Sequence, residues 1–424
     1  MGERTGITLG PGFGVGQCGP GRSQSSTADL ARPVVEAPRT PICPDGGLLG
    51  DGEIGQREAL LGRRGHTYSL PTPSDSYVSI AGFPGAIGVL FRSGCGGSPL
   101  RSWSMSAPAP YAITIPFDGI ALAAQREWYE ECARLGYTDL WSAEANGADA
   151  FVPLALASTW VPDVRLGTSI VPAFTRGPGL MAQSVATLAA AAPGRFVFGI
   201  GTSTPAIVTN WNAIPFDEPY KRTRDIVRFL KLALTGEKVT EQFDTFSVKG
   251  FRLGIRCPEV PPILVAGLRP GMLHMAARES EGAIINWLSA DDVTKVAAEV
   301  GPGKELVCRI FVCPNEDAEV VRASARFAIA AYLTVPVYAA FHDWLGRGPR
   351  LAAMKDAWVA GDRKAAVAAI PDDVVDELVV WGSPEKCREH VARYVANGVT
   401  TPVLAVLPFG MDLRDAVMSL APRP

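Results

Sequence analysis

From residue 111 onward, short apolar runs alternate with stretches whose apolar positions recur every three or four residues, the period of a helix with one buried face. The runs fall at 112–117, 139–143, 165–171, 196–201, 262–266, 283–287, 307–312 and 403–407. Most are apolar throughout, as expected of strands covered on both faces of a parallel sheet. Helical stretches occupy 121–135, 179–191, 220–234, 271–279 and 384–396. In the first, Ala124, Trp128, Cys132 and Leu135 share a face; in the third, Ile226, Phe229, Leu230 and Ala233 do. Eight strands followed by helices predict an α/β chain folded as a (β/α)8 TIM barrel. A doubly wound open sheet is the alternative, because a linear pattern does not reveal closure.

Two segments break this beat. Residues 239–250 alternate as a small hairpin would. Residues 316–381 predict a helical insertion before the last helix–strand unit, carrying Tyr332, Tyr338, Phe341, His342, Trp344, Met354 and Trp358. Such a segment is either a lid that shapes a substrate pocket or a helical dimer face.

Residues 1–104 are dense in Gly, Pro, Ser and Arg, with no sustained period. They bury too little to offset their ordering entropy and read as a disordered extension, leaving 105–424 as the barrel domain. Met105 is the expected true start, with the upstream residues translated in frame. Gly14, Gly16 and Gly19 match the GxGxxG spacing of dinucleotide sites, but Pro20, Gly21 and a Ser-rich run follow where a helix should begin. A glycine-rich coil is the reading there.

The 40 basic and 43 acidic residues give a net charge of -3. That is no field for DNA or RNA, so a nucleic-acid partner is not expected. Eight cysteines without a CxxC pair read as reduced thiols of a cytoplasmic protein. Four histidines without HExxH provide no basis for a metal site. The apolar run 78–91 is broken by Gly82, Pro84, Gly85 and Gly88 and is shorter than the roughly 20 residues of a spanning helix. With no charged-then-apolar leader, neither a membrane nor secretion is expected.

The chemistry concentrates where the strand at 196–201 breaks at Gly199 and Gly201 into Thr202, Ser203 and Thr204. Small residues let a backbone approach an anionic or planar ligand and aim N–H groups at it. The arrangement recurs in Ala266, Gly267, Leu268 and Arg269, whose guanidinium fork suits a phosphate. Two such strand ends predict a cofactor seat at the carboxyl edge of the sheet. For the glycines the other reading is tight packing; for Arg269 it is a solvated charge at a helix entry. Trp211, Asn286 and Trp287 fall near the same edge, although a tryptophan there is more often core than cofactor wall.

Three strings carry a resemblance: Asp139 to Gly147 (Asp-Leu-Trp-Ser-Ala-Glu-Ala-Asn-Gly), Arg165 to Pro172 (Arg-Leu-Gly-Thr-Ser-Ile-Val-Pro) and Phe198 to Ser203 (Phe-Gly-Ile-Gly-Thr-Ser). In order and spacing the chain resembles the bacterial-luciferase-like superfamily, and within it the branch that uses the deazaflavin coenzyme F420. The resemblance implies a non-prolyl cis bond at Ser169–Ile170, against which the coenzyme ring rests. It assigns Gly201, Thr202, Ser203, Ala266, Gly267, Leu268 and Arg269 to the coenzyme's ribityl chain and phosphate. It also places Glu144 near the redox carbon, as a proton donor or acceptor whose partial burial would raise its pKa. The Asp-His pair of sugar-phosphate members is replaced here by Ala143 and Glu144, so their base and substrate do not carry over. His342 is a second candidate, reached only through a lid.

The implied activity is hydride transfer between F420 and a small organic substrate, by a protein that is often a homodimer. An FMN-dependent monooxygenase of the same superfamily is the near alternative. A non-redox phosphate-binding barrel is the distant one. It would need a Schiff-base lysine or paired acids at strand ends, whereas Lys249, Lys295 and Lys304 fall in hairpin or helix settings. A coenzyme-binding paralogue without turnover remains a further reading.

Overall fold

The computed structural model describes residues 110–422. The readings of the extension 1–104, the start at Met105, the glycine spacing at Gly14, Gly16 and Gly19 and the run 78–91 lie outside the described residues. The chain proceeds as β1 (Ala112–Ile115), α1 (Arg126–Arg134), β2 (Asp139–Ser142), α2 (Phe151–Trp160), β3 (Arg165–Thr168) and β4 (Val171–Pro172). Then come α3 (Pro178–Ala191), β5 (Phe196–Gly201), α4 (Pro219–Ala233), the hairpin β6 (Val239–Gln242) and β7 (Ser247–Phe251), β8 (Ile263–Ala266), α5 (Pro270–Glu279), β9 (Gly282–Asn286), α6 (Asp292–Val300) and β10 (Glu305–Cys313). An insertion of α7 (Ala318–Leu333), α8 (Pro336–Trp344), α9 (Ala352–Val359), α10 (Arg363–Ala368) and α11 (Asp372–Leu378) follows. It ends in β11 (Val380–Trp381), and α12 (Pro384–Ala396), β12 (Thr401–Val406) and α13 (Leu413–Ser419) complete the chain.

Strands β1, β2, β3, β5, β8, β9, β10 and β12 pair in that order, all parallel, and β12 returns to β1. The sheet is therefore a closed eight-stranded barrel, which removes the open-sheet alternative. The expected strand 165–171 divides into β3 and β4 around Ser169 and Ile170. Helix α2 escapes a periodicity reading because its sequence, Phe-Val-Pro-Leu-Ala-Leu-Ala-Ser-Thr-Trp, is apolar all round.

Register partners on parallel strands point to the same side, so pairing identifies the barrel interior. Its middle is a cluster of Ala112, Trp141, Val197, Leu264, Ile284, Val307 and Val403, one from each strand except β3. There Gly167 lies beside Trp141, and a Cβ on it would stand 2.4 Å from the indole. Below them, at the amino end, Arg165 bonds Asp139 at 2.5 Å, Glu305 at 2.5 Å and Thr401 Oγ1 at 3.2 Å. That end of the barrel is thus closed by a hydrogen-bonded ionic cluster of one arginine and two carboxylates.

The insertion is seated on the opposite end. Trp287, Phe311 and Ala405, at or beyond the ends of β9, β10 and β12, share a buried cluster with Ile329, Leu351, Met354, Ile370 and Val374 of the insertion. Arg347 holds it further, pairing with Asp292 on α6 and Glu377 on α11, both at 2.7 Å. His342 on α8 is fully buried, and neither ring nitrogen has a partner among the described residues. It is part of the insertion's packing.

Two expectations follow from these contacts. Thr168 Oγ1 accepts from Gly199 N at 2.7 Å and donates to Gly199 O at 2.9 Å, joining β3 to β5 just below the break. Thr168→Val keeps the shape and orphans both groups, so the urea midpoint should fall by the equivalent of about 1–3 kcal/mol. Burial, and then the Arg347 charge, push the His342 pKa down to about 4. Above the ordinary histidine pKa of about 6.5 the ring is neutral in both the folded and the unfolded chain and adds no pH dependence. As pH falls from there toward 4, the unfolded chain takes up a proton that the folded one refuses, and roughly 3 kcal/mol of stability is lost. Denaturation midpoints at pH 7 and pH 4.5 should show this slope in the native chain and lose it in His342→Leu.

Candidate functional site

The carboxyl ends of the barrel strands are tied together around the Ser169–Ile170 bond, which is cis. Ser169 N donates to Ser142 O at 2.6 Å and Glu144 N to Ile170 O at 3.1 Å, joining this break to the end of β2. Ile170 and Ala266 pack onto the central interior cluster. Gly201 sits between them, where a Cβ would lie 2.9 Å from the Ala266 Cβ and 3.2 Å from Ile170 Cγ1. A Cβ on Gly199 would meet the Thr168 carbonyl at 1.9 Å, and one on Gly267 would meet Leu273 N at 3.1 Å. Close packing therefore accounts for all three glycines. Past Gly201, Thr202, Ser203 and Thr204 are half-buried. Ser203 holds φ 62°, a left-handed conformation costing about 1–2 kcal/mol outside glycine.

The other expected residues separate. Leu268 is half-buried and Arg269 exposed at the entry to α5. Trp211 is exposed, at the end of a single π-helical turn. Trp287 is buried at φ 54° and stacked on Phe311 with centroids 3.8 Å apart, so it belongs to the core beneath the insertion.

Glu144 accepts from Arg176 Nη1 at both carboxylate oxygens, at 2.8 and 2.7 Å, with Thr175 Oγ1 at 3.3 Å. The guanidinium lies 5.0 Å above the Phe151 ring. Both side chains are about five-sixths buried, 15% exposed for Glu144 and 16% for Arg176. The carboxylate is thus held in a fixed orientation, and Arg176 is the partner that sequence reasoning missed.

The strongest mark of a ligand site is a set of buried polar atoms on inward strand faces. Thr114 Oγ1, Trp141 Nε1, Ser169 Oγ and Arg309 Nε have no hydrogen-bond partner among the described residues. Buried polar groups are nearly always paired, so four orphans at one end of the interior make that surface a candidate ligand site; the remaining orphans are on Tyr111, Tyr129, Trp287, His342 and Arg347. Thr114, Trp141 and Ser169 fit a planar heteroaromatic cofactor: Ile170 and Ala266 would give an apolar rest, and the two hydroxyls and the indole N–H would supply hydrogen bonds to its polar atoms. Neither Thr114 nor Arg309 was singled out from sequence. The available signal was a lone arginine in the run Val307, Cys308, Arg309, Ile310, Phe311, Val312. No group of three or more potential metal ligands occurs among the described residues. No single described helix is long and apolar enough to cross a membrane.

With this geometry, the chain belongs to the luciferase-like monooxygenase family, whose model matches residues 100–401. It is 24% identical over 294 residues to a 5,10-methylenetetrahydromethanopterin reductase of Methanolobus tindarius, covering 66% of this chain and 89% of that one. The coenzyme F420-dependent tetrahydromethanopterin reductase of Methanopyrus kandleri shares the fold with a TM-score of 0.63 and 18% identity, over 74% of this chain and 98% of that one. An F420-dependent secondary alcohol dehydrogenase solved with an F420-acetone adduct superposes with a TM-score of 0.60 at 14% identity, over 74% and 98% of the two chains.

Removing one member of the Glu144–Arg176 pair strands the other in a poorly hydrated place. Arg176→Met should lower stability by roughly 1–3 kcal/mol, and Glu144→Gln added to it should restore part of that loss. A double-mutant cycle from urea midpoints checks this; an additive outcome means the pair is not coupled.

Proposed function

We propose that the protein is an oxidoreductase that transfers a hydride between coenzyme F420 and a small organic substrate. The observation that carries this reading is the pair of unpartnered hydroxyls of Thr114 and Ser169 at a barrel mouth of the luciferase-like family. The names of similar proteins of this fold, which include F420-dependent enzymes of two different reactions, favour the deazaflavin as the ligand. When bound, that coenzyme supplies a hydride acceptor or donor that reacts poorly with oxygen.

In this reading Ser169 and Ile170 form the platform beneath the ring, while Gly201, Thr202, Ser203, Ala266, Gly267, Leu268 and Arg269 line the path of its chain and phosphate. Glu144 holds or releases the proton that accompanies hydride transfer, and Arg176 positions it. The chain's part is to orient the two reactants and exclude water. The reading extends to a cytoplasmic homodimer. The described cysteines, Cys132, Cys257, Cys308, Cys313 and Cys387, are free thiols, which suits a reducing compartment.

Titration of the full chain with F420 and, separately, with FMN tests the assignment through quenching of tryptophan fluorescence. F420 should bind at least tenfold more tightly than FMN. Tight FMN binding with none of F420 would replace this reading by a flavin-dependent monooxygenase, the activity that the family's description names.

A further inference from the structure

Arg309 is the third inward position of β10, two residues beyond Val307 of the interior cluster. Its register partners are Asn286 on β9 and Val403 on β12. Its guanidinium rests 5.2 Å from the Phe311 ring centroid and makes no ion pair or hydrogen bond among the described residues, although Nε is buried. Three other arginines, Arg165, Arg176 and Arg347, each hold at least one carboxylate within 2.8 Å, while the half-buried Arg195 and Arg222 bond backbone carbonyls; Arg309 has neither. Arg309 is half-buried with its Nε enclosed, and a buried N–H is seldom left without an acceptor.

Two neutral groups complete the surroundings. The Tyr338 hydroxyl of α8 donates to Asn286 Oδ1 at 3.2 Å. That bond fixes the amide orientation, turning Asn286 Nδ2 into a donor on the same inward face as Arg309. In the ring of eight strands β10 is seventh and β3 third, so Arg309 stands across the barrel from Ser169 and Ile170. A molecule resting on the Ser169–Ile170 side therefore presents its other face toward Arg309.

We propose that Arg309, with Asn286 and Tyr338, is the recognition site for a substrate carboxylate, so that the enzyme acts on an organic acid. This deepens the hydride-transfer reading and rests on it. One planar cation with an amide donor beside it balances a single negative charge in bidentate geometry. A phosphate would call for more positive charge than this face carries. The same oxyanion chemistry would suit an anionic oxygen of the coenzyme, and the test separates the two.

The full chain is first titrated with F420 by tryptophan fluorescence, native and Arg309→Gln in parallel. Failure of the native chain to bind F420 removes the deazaflavin reading by itself, and the next step then runs with FMN as the loaded cofactor, deciding the anion site independently. The loaded protein is titrated calorimetrically with straight-chain monocarboxylates from acetate to hexanoate and with the matching primary amides. The native chain should bind at least one acid tenfold or more tightly than its amide. Arg309→Gln should abolish that preference with cofactor affinity unchanged within about twofold, Arg309→Lys should keep part of it, and Tyr338→Phe should weaken the acid several-fold and not the amide. Should Arg309→Gln fail to fold, the native preference and its reduction in Tyr338→Phe decide the matter. The proposal is overturned if no acid exceeds its amide or if the preference survives in Arg309→Gln. It is equally overturned if that variant loses cofactor binding tenfold with acid binding intact, which would assign the anion to the coenzyme.

Discussion

The contact on which the site depends is the one between Trp141 and Gly167. The indole lies across the barrel interior in the space that any Cβ on Gly167 would fill, 2.4 Å from its ring atoms. Dense packing at that level gives the barrel a floor. Beneath it Arg165 is neutralised by Asp139 and Glu305, with its guanidinium 5.7 Å from the Trp141 ring. Everything polar and unpaired on the inward faces, from Trp141 Nε1 to Ser169, Thr114 and Arg309, begins at this floor or above it. The two halves of the interior thus differ: the charges of the amino end pair with one another, whereas polar groups toward the carboxyl end have no partner among the described residues.

Barrel strands were legible because each is a short apolar run, and helices α1, α3, α4, α5 and α12 because their apolar positions keep a 3.6-residue period. Helix α2 was not, since a segment apolar on all sides has no period to detect. The length of the strand at 165–171 was misread for a different reason: Val171 and Pro172 pair with Ile200 and Gly201, but Ser169 and Ile170 leave the ladder. Residue types alone do not signal that interruption, and only the family resemblance located it.

The site was legible in part for a related reason. Glycines at strand ends announce a close approach, but not of what to what. Gly199 and Gly201 make room for the neighbouring strand and for Ile170 and Ala266, so the packing explanation is sufficient for them. Thr114 and Arg309 needed the register. Until Arg309 is known to pair with Asn286 and Val403, nothing tells whether it faces the interior or the surrounding helices. Periodicity within the strand would have set it on the side of Val307 and Phe311, and their burial points the same way.

Charge pairing then assigns different tasks to the two ionic features at this end of the barrel. Glu144 and Arg176 neutralise one another inside a shared, poorly hydrated space, so the pair contributes a fixed dipole and an oriented carboxylate with little net field. Arg309 contributes a net positive charge from across the barrel, softened only by the faces of aromatic rings. In a medium of low effective dielectric, an uncompensated charge acts over a longer range than a paired one. The electrostatic preference of the mouth is therefore set by strand seven, and the orientation of its carboxylate by strand two and the entry to α3. The mouth thus has an unpaired cation on one side and a carboxylate held by its own arginine on another, with the insertion seated on β9, β10 and β12 beside them.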